Sequence, residues 1–294
     1  MLAWARLESE RAATPRSRRS RPYRSVSSVT MPAALGVDFA IRRWRDVGVA
    51  LVQWGDGRGA TAKAVTLEES GPVEIERLAQ HIDALARQIG ALAVAIDGPH
   101  AWREPDAAAR PGVGRAAEYA VRAQAKTGTY DQCFPSTQRR WTHRCIALFD
   151  HLLASGRGRL LEAPSADADT ASESAGYAVL ETYPTQVWRS LGVAPLPAKS
   201  RATADDLRIR RAVLLERLAV KCEGELTHDE LQAVVAAVVG AGACGAPWAA
   251  RAHGKAAYTL PASRAAPRHR VEGLIWDLAP LSPSGERDKR RRST

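Results

Sequence analysis

Two apolar runs in this 294-residue chain end in an aspartate at a turn. Ala33-Ala34-Leu35-Gly36-Val37 leads into Asp38, and Ala91-Leu92-Ala93-Val94-Ala95-Ile96 leads into Asp97, which Gly98-Pro99 follows. An acid directly before Gly-Pro is hard to explain as packing. Two carboxylates brought together repel, and one of them takes up a proton unless a cation lies between them. Hard oxygen donors at that density suit Mg²⁺ or Mn²⁺. Such sites support in-line displacement at phosphorus with one or two metals. Glu181, at the end of the segment YAVLETY, and Asp229, at the start of a mostly apolar stretch, are candidates to complete the ligand shell. Each has a plainer alternative. Glu181 can serve the Tyr183-Pro184 turn as a helix-cap contact, and Asp229 can be an early-helix acid favoured by the helix dipole. His100 and His143 are candidate proton-transfer groups, although a lone histidine is more often an ordinary surface or core residue.

The elements that must position these acids follow from periodicity. The run ending in Asp38 predicts a first strand, residues 46–54 (DVGVALVQW) a second and residues 60–67 a third, with Gly55-Asp56-Gly57 as a turn. Together they read as an antiparallel meander. Pro72 stands where a helix can open, and Ile75, Leu78, Ile82, Leu85 and Ile89 recur at helical spacing up to Gly90. The continuous apolarity of residues 91–97 predicts a central parallel strand covered on both faces. Residues 100–176 read as an insertion with helices at about 114–126 and 138–155 around a loop containing Gly128 and Pro135. Residues 177–183 form a fifth strand ahead of a helix opened by Pro184. Helices are expected over 203–220 and 227–243, and a short strand over 273–278.

The order β-β-β-α-β-insert-β-α-α is that of an α/β, ribonuclease-H-like mixed sheet: a three-strand antiparallel meander plus parallel strands, flanked by helices. In such a sheet the first and fourth strands are neighbours, which brings Asp38 and Asp97 together.

Gly36-Val37-Asp38, Ala95-Ile96-Asp97-Gly98-Pro99, Glu181-Thr182-Tyr183-Pro184 and Glu272-Gly273-Leu274-Ile275-Trp276, in this order, resemble the domain-of-unknown-function 429 family over about residues 34–278. The resemblance implies a ribonuclease-H-like fold and the nuclease activity commonly predicted for that family. It extends to Arg115-Ala116-Ala117-Glu118 with Arg122, to Lys199, and to Arg211 ahead of Leu214-Leu215. On that basis Arg115, Arg122 and Lys199 are substrate-binding or structural candidates. Arg115, Glu118 and Arg122 at three- and four-residue steps share one helix face, equally consistent with a surface ion-pair ladder. Members of the family, like Holliday-junction resolvases, end with Asp-x-x-Asp-Ala. Here the residues are Asp229-Glu230-Leu231-Gln232-Ala233, so an amide replaces the second acid.

The functional reading that follows is a metal-dependent nuclease in which Asp38, Asp97, Glu181 and Asp229 hold Mg²⁺ or Mn²⁺ and nucleic acid is the partner. Two alternatives stand beside it. A non-enzymatic or degenerate binding module with this fold would explain Gln232. A phosphotransferase of the sugar-kinase and actin-like fold also begins on an Asp-bearing strand, but Phe39-Ala40-Ile41-Arg42 lacks the glycine-rich phosphate hairpin.

The net charge of +10 invites a nucleic-acid partner, yet it is concentrated at the ends. Residues 1–30 hold seven Arg and two Glu; residues 281–294 hold four Arg, one Lys, one Glu and one Asp. About +2 is left for residues 31–280, which is low for a nucleic-acid surface. The two ends read as disordered basic extensions, with Met31 as a candidate start site, and residues 31–280 as the folded domain. Cys133, Cys145, Cys222 and Cys244 form no C-x-x-C pair and match no zinc spacing. They read as reduced thiols in a cytoplasmic protein, and no apolar run reaches membrane-spanning length.

Overall fold

The computed structural model describes residues 31–55, 59–105, 113–162 and 176–280. The expectations for the two basic ends lie outside the described residues. Three strands open the fold: β1 (Ala33–Asp38), β2 (Gly48–Trp54) and β3 (Ala60–Ala64). They pair in antiparallel succession. Helix α1 (Ile75–Ile89) begins two residues after Val73, so Pro72 precedes the helix instead of opening it. Gly90 ends it in the left-handed region at φ 62°, the backbone state that glycine adopts without a Cβ penalty. Strand β4 (Ala91–Asp97) then runs parallel to β1, with Asp38 and Asp97 as lateral partners.

The insertion contains a short helix α2 (Ala116–Ala120), a two-residue hairpin β5 (Lys126–Thr127) and β6 (Cys133–Phe134), the long helix α3 (Arg139–Ala154) and strand β7 (Gly158–Leu160). The core resumes with β8 (Tyr177–Thr182), parallel to β4, and α4 (Pro184–Ser190), which carries Pro184 in its first turn. Then follow α5 (Ala204–Leu218), β9 (Val220–Cys222), α6 (His228–Ala243), β10 (Ala250–Leu260) and β11 (His269–Leu278). Among the described residues the main sheet runs β10-β11-β8-β4-β1-β2-β3-β9, and β7 pairs with the first half of β8. The segment β3-β2-β1-β4-β8 is the ribonuclease-H-like arrangement expected from the sequence. Strand β11 is longer than its anticipated 273–278, and it forms an antiparallel pair with β10, which the sequence reading missed.

The sheet is covered on both faces. Helices α1 and α3 bury Leu78, Ile82, Leu148, Phe149 and Leu152 against Leu35, Val37, Val94 and Ile96. On the other face α6 lies against β1, β2 and β4, where Ala34, Ala93 and Ala95 meet Ala233, Ala236 and Ala237. Small residues on both partners let the helix backbone sit almost on the sheet. A Cβ added at Gly36 would overlap the Ala233 carbonyl and the Ala237 amide, and one at Gly48 would overlap the Asp229 carbonyl. Gly48 is the β2 partner of Asp38. The glycine that admits the first turn of α6 therefore stands beside the first acid.

Overpacking a dense core costs about 1–3 kcal/mol. Gly36→Ala should lower unfolding free energy by at least that much in urea melts. Gly240→Ala, whose Cβ would stand 3.3 Å from Ala93 and Ala95 side chains, should be close to neutral, because helix propensity offsets the tighter contact. Equal costs at the two sites would refute the close-approach account.

Candidate metal centre and its buried ion-pair network

Asp38 and Asp97 end adjacent parallel strands, and Thr182 completes the row on β8. Alternation along a strand puts these three on the α6 face, in step with Ala34, Ala95 and Leu180. Neither aspartate has a hydrogen-bond or ion-pair partner among the described residues. Burial pushes the Asp38 carboxyl well above the usual carboxylate range, Asp97 and Asp229 raise it further, and Lys199 partly opposes them. Burial and the neighbouring Glu181 raise Asp97 to about 7.

Asp229 approaches from the first turn of α6. Thr227 caps that helix with its hydroxyl on the Glu230 amide, and Glu230 returns the bond to the Thr227 N–H. The cap, together with Gly48 beneath it, sets Asp229 over the end of β1. Oxygens of Asp38 and Asp229 and a ring nitrogen of His228 lie within 4.8 Å of one another. His228 Nδ1 is 3.0 Å from Asp229 Oδ1, and Lys199 Nζ bonds Asp229 Oδ2 while donating to Asp46 at 2.9 Å. Burial alone would raise Asp229, but His228 and Lys199 hold it below its ordinary value. Lys199, expected as a substrate contact, thus joins the acidic cluster as its half-exposed cation.

Glu181 is placed differently. Its register partner is Ile96, not Asp97, so its side chain leaves the sheet on the opposite face. There it is a buried hub. Oε1 accepts from Arg115 Nη2 at 2.6 Å; Oε2 accepts from Arg115 Nη1 at 2.9 Å, from His100 Nδ1 at 2.7 Å and from the His100 backbone N–H at 3.0 Å. Burial raises its pKa, but Arg115 and His100 outweigh burial and hold it at about 2. His100, in turn, is kept below its usual value by burial, so a neutral ring donates from Nδ1. Its Nε2 packs against Gly273, where a Cβ would collide and where φ is 106°. Only a residue without a side chain fits there.

Arg115 is 1% exposed. It is the N-cap residue of a five-residue helix, so Arg115, Glu118 and Arg122 do not form a surface ladder on one face. Arg115 Nε reaches Glu118 at 3.2 Å and Thr127 Oγ1 at 3.0 Å. Glu118 also accepts from the Thr127 amide and hydroxyl. Glu272, in a left-handed backbone conformation, accepts from the amides of Glu104 and Ala116, and its carbonyl accepts from Arg115 Nη1. The Arg-Ala-Ala-Glu, Glu-Thr-Tyr-Pro and Glu-Gly-Leu-Ile-Trp segments are therefore parts of one network. Arg122 lies beyond α2 at φ 53° and is exposed. Gln232 accepts from the fully buried Trp188 indole N–H at 2.9 Å. His143 lies apart, bonded to Asp131 at 2.8 Å and edge-on to Trp102.

Removing one partner of a buried ion pair strands the other, which costs about 3–5 kcal/mol. Arg115→Met should be destabilised by about that amount, and the double variant Arg115→Met/Glu181→Met should recover a large part of it in chemical denaturation. Full additivity of the two single effects would contradict the hub.

A second expectation concerns pH in EDTA. Asp97 binds its proton more tightly folded than unfolded, so its contribution to stability is present at low pH. That contribution is lost as pH rises from about 4 through 7. The melting temperature should fall across this window, and Asp97→Asn should flatten the fall. An equally steep fall in the variant would remove Asp97 as its source.

Residues 36–266 match the family described as "Protein of unknown function (DUF429)". No curated protein matches the chain. Similar solved structures include the Thermus thermophilus RuvC structure, 14% identical over 70% of this chain and 91% of that one, TM-score 0.34. T. thermophilus RuvC in complex with Holliday junction substrate is also 14% identical, over 70% and 90%, TM-score 0.31. The fold assignment stands on strand order and register and does not draw on these two. The family match runs from β1 to beyond β10 and includes Asp38, Asp97, Arg115, Glu181 and Asp229; the chain belongs to the DUF429 family.

Proposed function

We propose that this protein is a divalent-metal-dependent nuclease that hydrolyses phosphodiester bonds in nucleic acid, with Asp38, Asp97 and Asp229 as the residues that hold Mg²⁺ or Mn²⁺. The observation that carries this reading is the pair of partnerless acids, Asp38 and Asp97, in register at adjacent strand ends with Asp229 brought close to Asp38. A stable fold seldom gathers carboxylates without a counter-charge unless a ligand supplies it. The donor set fits the ion: oxygens of Asp38 and Asp229 lie together with a His228 ring nitrogen, Asp97 is the strand neighbour of Asp38, and carboxylates are the hard oxygen ligands such an ion takes. When bound, such an ion supplies charge stabilisation and Lewis-acid activation at phosphorus.

The chain's own residues take distinct roles in this reading. Asp38 and Asp97, both raised above the usual carboxylate range, would be the ligands that lose protons on binding the ion. Glu181, whose two oxygens are filled by Arg115 and His100, acts as a positioning residue for the loop that follows Asp97. Arg115 is its buried counter-ion, and exposed Arg122 is the residue left to meet a phosphate of the substrate. Lys199 holds Asp229 in the absence of metal and competes with it.

The degenerate-module reading draws on two observations: Gln232 is committed to Trp188, and Lys199 already neutralises Asp229. Calorimetric titration with Mn²⁺ and cleavage of RNA, single-stranded DNA and branched DNA separate the readings. Binding and cleavage should both disappear in Asp97→Asn. Lys199→Gln should bind Mn²⁺ about fivefold more tightly, the equivalent of ~1 kcal/mol for a lost half-exposed charge contact. Mn²⁺ binding without cleavage of any substrate would favour the degenerate module, and no Mn²⁺ binding at millimolar concentration would refute the metal centre.

A further inference from the structure

Between the strand ends and the insertion lies a cavity of about 250 Å³ that contains Asp97 in its wall. It is smaller than the roughly 300–1,000 Å³ of a pocket for a drug-sized ligand. One flat ring system is within that volume. Two aromatic side chains, Trp141 and Tyr183, line it. Trp141 is fixed by its indole N–H, which donates to the Phe39 carbonyl at 3.1 Å, one residue beyond Asp38. Gln124 and Gln138 also line it, and their side-chain amides have no partner among the described residues. An amide carries both a donor and an acceptor, the pairing needed to read a base edge.

The charges in the wall say what does not enter. Asp97, Glu118 and Glu181 contribute carboxylates, and the Arg115 guanidinium is consumed by Glu118 and Glu181. Lys126 Nζ sits 5.4 Å over the Tyr119 ring. A phosphate inside would meet three carboxyl groups against the single Lys126 ammonium that Glu118 and Glu181 do not consume, whereas an uncharged heteroaromatic ring would meet two aromatic side chains and free amides.

We propose that this cavity is a nucleobase subsite that takes one unstacked base of the strand whose phosphate lies at the acidic centre. The proposal rests on the nuclease reading and narrows it: the substrate is single-stranded, or frayed at the scissile nucleotide, and intact duplex is excluded. Stacking on aromatic rings contributes about 1–3 kcal/mol per base, comparable with the few kcal/mol that unstacking costs. A strand already unpaired therefore has the advantage.

The test uses the full chain in EDTA, so that metal plays no part. Adenosine, guanosine, cytidine and uridine are titrated by NMR, with ribose as control; uncharged nucleosides avoid repulsion from the acids. At least one nucleoside should bind saturably and ribose should not. Gln138→Ala and Tyr183→Leu should each weaken that binding at least fivefold with melting unchanged. If Tyr183→Leu does not fold, Gln138→Ala and Gln138→Glu carry the comparison. Nucleoside binding that is absent, matched by ribose, or indifferent to the Gln138 variants overturns the subsite. The two readings fail separately. Loss of Mn²⁺ binding with nucleoside binding retained counts against the metal centre alone. Intact Mn²⁺ binding without nucleoside binding counts against the cavity alone.

Discussion

The close approach of α6 to the sheet is the constraint on which the site depends. The helix can reach Asp38 only because Gly36 and Gly48 present no side chains and because the facing helix positions are alanine. Hydrophobic burial on that face, with Val234, Val235, Val238 and Val239 fully buried, pulls the helix down. The glycines decide how far it travels. The result is energetically mixed: a well-packed core that ends in a cluster of carboxylates, two of them without partners. In this account folding free energy from α6 packing offsets electrostatic repulsion at the strand ends, and a bound cation removes it.

The second support of the site works in the opposite way. Around Glu181 every charge is answered, by Arg115, by His100 and, through Arg115, by Glu118 and Thr127. A buried charge network of this kind, in which only His100 Nε2 is left without a hydrogen-bond partner among the described residues, rigidifies its surroundings. It ties the segment after β4 to the insertion and to β11, whose Glu272 and Gly273 complete it. The acids on one face of the sheet are left frustrated while the acid on the other face is neutralised. Two carboxylates on adjacent strands thus shift in opposite directions: Asp97 is raised and Glu181 is lowered.

Periodicity made the meander, α1, α6 and the parallel strands readable from sequence, because their apolar runs are long. It also placed Asp38 beside Asp97, since strand order dictates that neighbourhood. Strand β10 escaped because residues 250–260, ARAHGKAAYTL, are rich in alanine and polar residues with one β-branched residue, and they sit at a half-exposed edge. Strands β7 and β9, three residues each, are too short for any period to register. The Glu181 hub was illegible for another reason. Its partners are 66 and 81 residues away in the chain, and nothing local distinguishes a buried arginine from one that awaits a substrate. Arg115 looked like part of a helical surface ladder; the helix is five residues long, and Arg115 caps it. His100 showed no local signal beyond following Asp97-Gly98-Pro99. Lys199 and Gln232 were noticed for their positions in a pattern, but their actual contacts, with Asp229 and Trp188, depend on tertiary packing.

The claim that Asp38, Asp97 and Asp229 form one cation site is tested most directly by anomalous diffraction from crystals soaked in Mn²⁺. The account predicts a single anomalous peak within coordination distance of Asp38 and Asp97, with Asp229 turned toward it and Lys199 displaced from Asp229. An empty map at this position under millimolar Mn²⁺, with Lys199 still bonded to Asp229, would contradict it.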